Sequence, residues 1–182
     1  MLHRKKSMAE LQRLTPTEYA DVEKIPVSIL LDDIRSANNV GSIFRTADCF
    51  ALEHVYLCGI TATPPHRDIL KTALGATETV SWSHHADALS LVKKLQGDGA
   101  QVQCLEQTEQ SVRLRDFVAP VDHQLVLVVG NEVNGVSQAL IDAADGTIEI
   151  EQFGTKHSLN VAVATGMMVY TVSGQYRSRL LT

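Results

Sequence analysis

Five polar residues stand where a chain of this pattern would hold a ligand: Asn39, Arg45, Glu132, Ser158 and Asn160. Glu132 closes Gly130-Asn131-Glu132, which follows the apolar run Leu125 to Val129 and precedes a helix start at Gly135 to Ser137. Ser158-Leu159-Asn160 comes after a second short strand, Thr147 to Ile150, and opens an almost wholly apolar helix. Asn39 and Arg45 lie beyond the end of an earlier strand, on the helix that follows it. In an open α/β sheet, the crevices at strand ends beside helix N-termini are where ligands sit. A guanidinium, a carboxylate, a hydroxyl and two carboxamides on one rim can bind and orient a polar ligand there.

Each of these residues also has an ordinary explanation. Arg45 reads as an exposed helix arginine pairing with Asp48 or a neighbour, a contact worth little. Glu132 sits near a helix N-terminus, where the helix dipole favours an acid. Ser158 fits an N-cap. Asn160 is harder to dismiss, because a carboxamide in the first turn of a helix reading Leu-Val-Ala-Val-Ala needs a polar partner if buried. Together they converge at strand-end loops on what could serve as one rim.

The elements that must position them follow from the hydrophobic periods. Residues 1–24 read as a basic and polar arm with some helical character, and residues 25–182 as one domain. Val27 to Leu31 is a buried strand. Asn38 or Asn39 is a natural N-cap for the next helix, along which Val40, Ile43, Phe44, Ala47 and Ala51 form an apolar stripe. His54 to Cys58 is a second strand, Arg67 to Leu74 a helix stopping at Gly75, Thr77 to Trp82 a third strand, and Ala86 to Leu95 a helix ended by Gly97-Asp98-Gly99. Gln101 to Leu105 is a fourth strand, and Val112 to Phe117 forms one helical turn before Pro120. Strands alternating with helices predict an α/β fold, with a mostly parallel sheet and helices on both faces.

Composition narrows the function. At 182 residues, 45% hydrophobic and 20% charged, the chain suits one soluble domain with a real core. Cys49, Cys58 and Cys104 lie far apart in apolar strings, which fits reduced, buried thiols in a cytoplasmic protein rather than a zinc site. The histidines show no metal-ligand spacing, so no metal is expected. No secretory signal stands at the N-terminus, and the run Leu159 to Val172 is too short and too polar to span a bilayer. No Walker A sequence occurs and no GxGxxG follows the first strand, which disfavours a classical dinucleotide fold. The net charge is −5, evidence against a chain-wide basic surface. It is uneven: residues 1–14 carry +3, leaving −8 on the remaining 168. A basic arm on an acidic body is compatible with an RNA partner without demanding one.

The spacing of the site residues resembles a known family. Asn39-Val40-Gly41-Ser42-Ile43-Phe44-Arg45 is similar to the first motif (NxGxxxR) of the SpoU, or TrmH, branch of the SPOUT RNA methyltransferases. Val129 to Ser137 resembles the second motif, and Ile148 to Ala164, with Ser158-Leu159-Asn160, the third; Gly75-Ala76 resembles a short signature between the first two. The resemblance runs from about Ile25 to Tyr170. It implies a trefoil knot in the C-terminal part of the sheet, against the general rule that chains are unknotted. It implies S-adenosylmethionine bound there, with contacts falling by motif position at Gly130, Ile150 and Leu159, and Leu105 nearby. It also implies a homodimer through the motif-one and C-terminal helices, which suits the apolar run Leu159 to Val172.

The implied reaction is 2′-O-methylation of a ribose in tRNA or rRNA, with tRNA ranked ahead. Arg45 matches the family's essential arginine. A guanidinium is normally charged, so a clamp on the RNA phosphate beside the target ribose suits it better than a general base. Asn39 would orient Arg45 or the ribose, Glu132 would hold the arginine or the third-motif loop, and Ser158 and Asn160 would complete the pocket. Val133 follows Glu132 where the family commonly has glycine, which implies a stiffer loop. Outside the arm, the basic residues singled out for RNA are Arg177 and Arg179. The alternative from another class is a non-catalytic RNA-binding or ribosome-assembly factor that keeps the fold.

Overall fold

The computed structural model describes residues 3–7, 9–11 and 13–180. Its centre is a seven-stranded sheet in which every pairing is parallel, in the order β3-β2-β1-β6-β4-β7-β5. The strands are β1 (Ile25–Asp32), β2 (Leu52–Cys58), β3 (Trp82–His85), β4 (Gln101–Leu105), β5 (Val112–Arg113), β6 (Leu125–Val129) and β7 (Gly146–Glu149). The helices are α1 (Pro16–Ala20), α2 (Ala37–Cys49), α3 (Arg67–Ala73), α4 (Ala76–Thr79), α5 (Ala88–Gly97), α6 (Gln138–Ala143) and α7 (Val161–Leu180). Among the described residues no helix is long and apolar enough to cross a membrane.

Two-residue alternation along the strands builds two apolar layers. Ile25, Val27, Ile29 and Leu31 of β1 and Leu125, Leu127 and Val129 of β6 pack with α2, α3 and α7. Leu30 of β1 and Val126 and Val128 of β6 turn the other way, onto Leu91, Val92 and Leu95 of α5 and Leu140 of α6. The expected stripe on α2 is present, with Val40, Ile43, Phe44 and Ala47 fully buried. Each such large apolar side chain contributes about 1.5–3 kcal/mol by leaving water.

Local expectations fail where tertiary contacts outweigh propensity. Thr77 to Trp82 is not one strand. Gly75, at φ +92°, restarts the chain as α4, which buries Ala76, and the strand begins only at Trp82, paired with Val55. Val112 to Phe117 turns only in its second part, where the Asp116 N–H donates to the Arg113 carbonyl at 2.8 Å and the Phe117 N–H to the Leu114 carbonyl at 3.4 Å. Val112 and Arg113 instead pair with Ile148 and Glu149, satisfying the edge of β7. The N-cap of α2 is Ser36, not Asn38 or Asn39, so the Asn39 side chain is left for other partners. Of the cysteines, Cys58 and Cys104 are buried but Cys49 is exposed.

Within the N-terminal stretch, α1 is held to the body. Thr15 and Glu18 form a reciprocal capping box around Pro16. Tyr19 is buried, and its hydroxyl donates to the Asp48 carbonyl at 3.3 Å.

Candidate active site

The strand order brings the C-terminal ends of β6, β4 and β7 side by side, with the start of α7 beside them. The loop after β6 is fixed from several directions. The Asn131 amide donates to the Asp33 carbonyl at 2.7 Å, and its Oδ1 accepts from the backbone N–H groups of Val133 at 2.9 Å and Asn134 at 3.2 Å. The chain turns back at Gly135, at φ +69°, a conformation costly for other residues. Gly130 has no room for a side chain, since a Cβ there would collide with the backbone of Gly135 and Val136. Glu106, just past β4, accepts the Val136 N–H at 3.0 Å and closes the turn. Val133 is no obstacle in this loop: the left-handed position is Gly135, and the Val133 side chain is 70% exposed.

One hydrogen-bonded chain joins all the motif regions. The Glu132 carboxylate accepts from the backbone N–H groups of Arg35 at 2.9 Å and Ser36 at 3.0 Å, and from the Asn39 amide at 2.9 Å. Asn39 Oδ1 accepts from Asn160 Nδ2 at 3.1 Å. Asn160 Oδ1 accepts from the N–H groups of Ala162 at 2.9 Å and Val163 at 3.3 Å, which caps α7. Partial desolvation works to raise the Glu132 pKa, but the bonds from Arg35, Asn39 and Ser36 outweigh it and hold the carboxyl below its ordinary value. Glu132 is therefore an anion that fixes Asn39.

This chain borders a cavity of about 670 Å³, lined by Leu105, Gly130, Ile150 and Leu159 together with Glu132, Ser158 and Asn160. All four positions singled out for a cofactor line the same space. Aliphatic walls with a polar rim suit an adenine ring held by main-chain groups at its edge. Ser158 does not cap α7, since Asn160 does; its hydroxyl makes no hydrogen bond to a described residue. Arg45 is not among the residues lining this cavity. It stands six positions beyond Asn39 on α2, about 9 Å along the helix axis, in a separate groove. Its expected pairing with Asp48 is not made: the Asp48 carboxylate instead accepts the Thr79 hydroxyl.

Sequence reasoning missed Glu106 and Asn131, whose side chains shape the loop. Their only signal was position, immediately after the apolar strands β4 and β6. No group of three or more His, Cys, Asp or Glu among the described residues is placed to hold a metal ion.

The model of the SpoU rRNA Methylase family matches residues 26–170, most of the chain. The chain belongs to that family. A protein of Staphylococcus haemolyticus named for the TrmH family of tRNA/rRNA methyltransferases is 29% identical over 176 residues, spanning 91% of this chain and 68% of its own length. The Sinorhizobium meliloti rRNA methyltransferase, in a crystal structure with AdoMet bound, superposes with a TM-score of 0.76 at 27% identity, over 94% of this chain and 63% of that one. The Aquifex aeolicus TrmH/SpoU tRNA modifying enzyme superposes with a TM-score of 0.81 at 24% identity, over 91% and 83%. The SpoU family thus accounts for the fold.

Proposed function

We propose that the chain is an S-adenosylmethionine-dependent RNA 2′-O-ribose methyltransferase. The observation that carries the reading is the chain Glu132–Asn39–Asn160, which ties the three motif regions into one rim around a cavity of cofactor size. Bound S-adenosylmethionine would supply an electrophilic methyl group on sulfur. Leu105, Ile150 and Leu159 would enclose its adenine, and Gly130 would let the backbone approach. Ser158 would offer its unengaged hydroxyl to the target ribose. Arg45 would hold the neighbouring RNA phosphate, and its charge would favour release of the 2′-hydroxyl proton to solvent as the oxygen takes the methyl from sulfur. Holding these groups in place and excluding water supplies much of the catalysis.

The same proposal includes the trefoil knot, a cytoplasmic location, and a homodimer. Support for the dimer lies on α7. Met168, Val169 and Val172 face the core, while Val163, Met167 and Tyr170 form an exposed apolar stripe on another face. Tyr170 meets Phe50, just beyond α2, edge-on at 6.2 Å, which joins that stripe to the motif-one helix. The preferred substrate is tRNA, ahead of rRNA.

The test is transfer of labelled methyl from S-adenosylmethionine to bulk tRNA and to rRNA, with Arg45→Ala as control. Label in one pool, lost in the variant and mapped to a ribose 2′-oxygen, is the expected result. Measurable cofactor binding with no transfer to either pool would replace the enzyme by an RNA-binding or ribosome-assembly factor.

A further inference from the structure

Two cations line one groove in which the fold makes no use of them. Helices α2 and α3 touch closely at Gly41, where a Cβ would collide with the Thr72 hydroxyl and the Ile69 carbonyl. The Thr72 hydroxyl also donates to the Asn38 carbonyl at 3.0 Å. Beyond this contact the helices leave an open groove of about 460 Å³, with Arg45 on the α2 wall and Lys71 on the α3 wall. Both side chains are exposed, and neither makes a hydrogen bond or ion pair with a described residue. No Asp or Glu lines the groove.

Several other cations are engaged within the protein. Arg113 and Arg115 share Glu151, Arg179 is held by Asp122, and Arg4 pairs with Glu10. Arg177 donates to the Phe50 carbonyl at 3.3 Å. The C-terminal arginines that the sequence offered to RNA are therefore engaged within the protein. The hydroxyls on the α2 wall are also committed, Ser42 to the Asn38 carbonyl and Thr46 to the Ser42 carbonyl. What the groove presents to an anion is the charge of Arg45 and Lys71, beside the Cys49 thiol and the apolar Phe50 and Leu74. Two unneutralised cations facing each other attract an anion, and beside a cavity for RNA chemistry the fitting anion is a backbone phosphate.

We propose that Lys71 is a second RNA-binding residue, which with Arg45 holds backbone phosphate of the strand flanking the target nucleotide in the groove between α2 and α3. The inference rests on the RNA-substrate reading above. It assigns Lys71 a positioning role, because the groove shares no lining residue with the cofactor cavity. Phosphate contacts fix register without reading sequence, so Lys71 would contribute equally to every RNA the protein accepts.

The experiment is equilibrium RNA binding by the full chain over a salt series, for wild type, Lys71→Ala and Lys71→Arg, with cofactor binding and sedimentation on the same samples. Lys71→Ala is expected to bind RNA several-fold more weakly. Its log–log salt slope should be shallower by about 0.7–0.9, the loss of one phosphate contact. Lys71→Arg should restore the slope, and cofactor affinity and association state should not change. Wild-type slope and affinity in Lys71→Ala would overturn the inference, as would an affinity loss that tracks dissociation of a dimer. Methyl transfer by wild type alongside an unaffected Lys71→Ala would sink this inference alone. A Lys71-dependent salt slope in a protein that transfers no methyl would uphold the groove and sink the methyltransferase reading.

Discussion

Asn160 Nδ2 donates to Asn39 Oδ1 at 3.1 Å, across 121 positions of sequence. Each carboxamide is engaged at both its nitrogen and its oxygen. Asn39 spends its amide on Glu132 and its oxygen on Asn160, and Asn160 spends its oxygen on the first turn of α7. A carboxamide can donate and accept at both positions, whereas a carboxylate cannot donate and an ammonium cannot accept.

Replacing either asparagine should therefore damage the same assembly. Asn39→Ala and Asn160→Ala should each weaken cofactor binding, and the double variant should lose less than the sum. The expected coupling is about 0.5–3 kcal/mol, measured by calorimetric titration with S-adenosylmethionine. Strict additivity would show that the contact is incidental. Asn39→Asp should be worse than Asn39→Ala, because it sets one carboxylate against another.

Glu132 gives the site an acid limit. Its pKa lies below the ordinary value of 4.5, so its contribution is fully present above that value. It is lost as pH falls through the lowered value, where the carboxyl takes up a proton. Cofactor affinity followed downward in pH should fall in that window. Glu132→Gln should begin weaker and lose the part of the pH dependence due to Glu132. An identical acid profile in wild type and variant would place the titration elsewhere.

Gly41 is a packing residue before it is anything else. Gly41→Val should force α2 and α3 apart at a cost of about 1–3 kcal/mol, the usual range for overpacking. In a chain of this size each kcal/mol lowers the melting temperature by roughly 2–4 °C. Thermal unfolding should show the shift with or without cofactor. A variant as stable as wild type would mean that α3 shifts away from α2 at little cost.

The layers of the fold were legible because they rest on local period. The β1 and β6 runs and the α2 stripe are read directly from alternation and 3.6-residue spacing, and all proved buried. The elements misread were those set by distant partners. Thr77 and Val80 look like strand residues, yet Gly75 and the burial of Ala76 wind this segment into α4. The site was legible as a set of positions but not as a network. Sequence spacing placed Asn39, Glu132 and Asn160 near strand ends, while their reciprocal bonds depend on Ser36 taking the cap and freeing Asn39. Arg45 was expected on the same rim, but the pitch of α2 carries it into the neighbouring groove.

The cysteines have a practical consequence. Burial pushes the thiols of Cys58 and Cys104 up to about 12, so neither forms thiolate at neutral pH. Cys49 is exposed on α2, one turn beyond Arg45, and lines the same groove. Nature has thus left a single reachable attachment point, and it stands beside Arg45 and Lys71. A small maleimide fluorophore added to the unmutated protein would report from that spot, with no engineering of the chain.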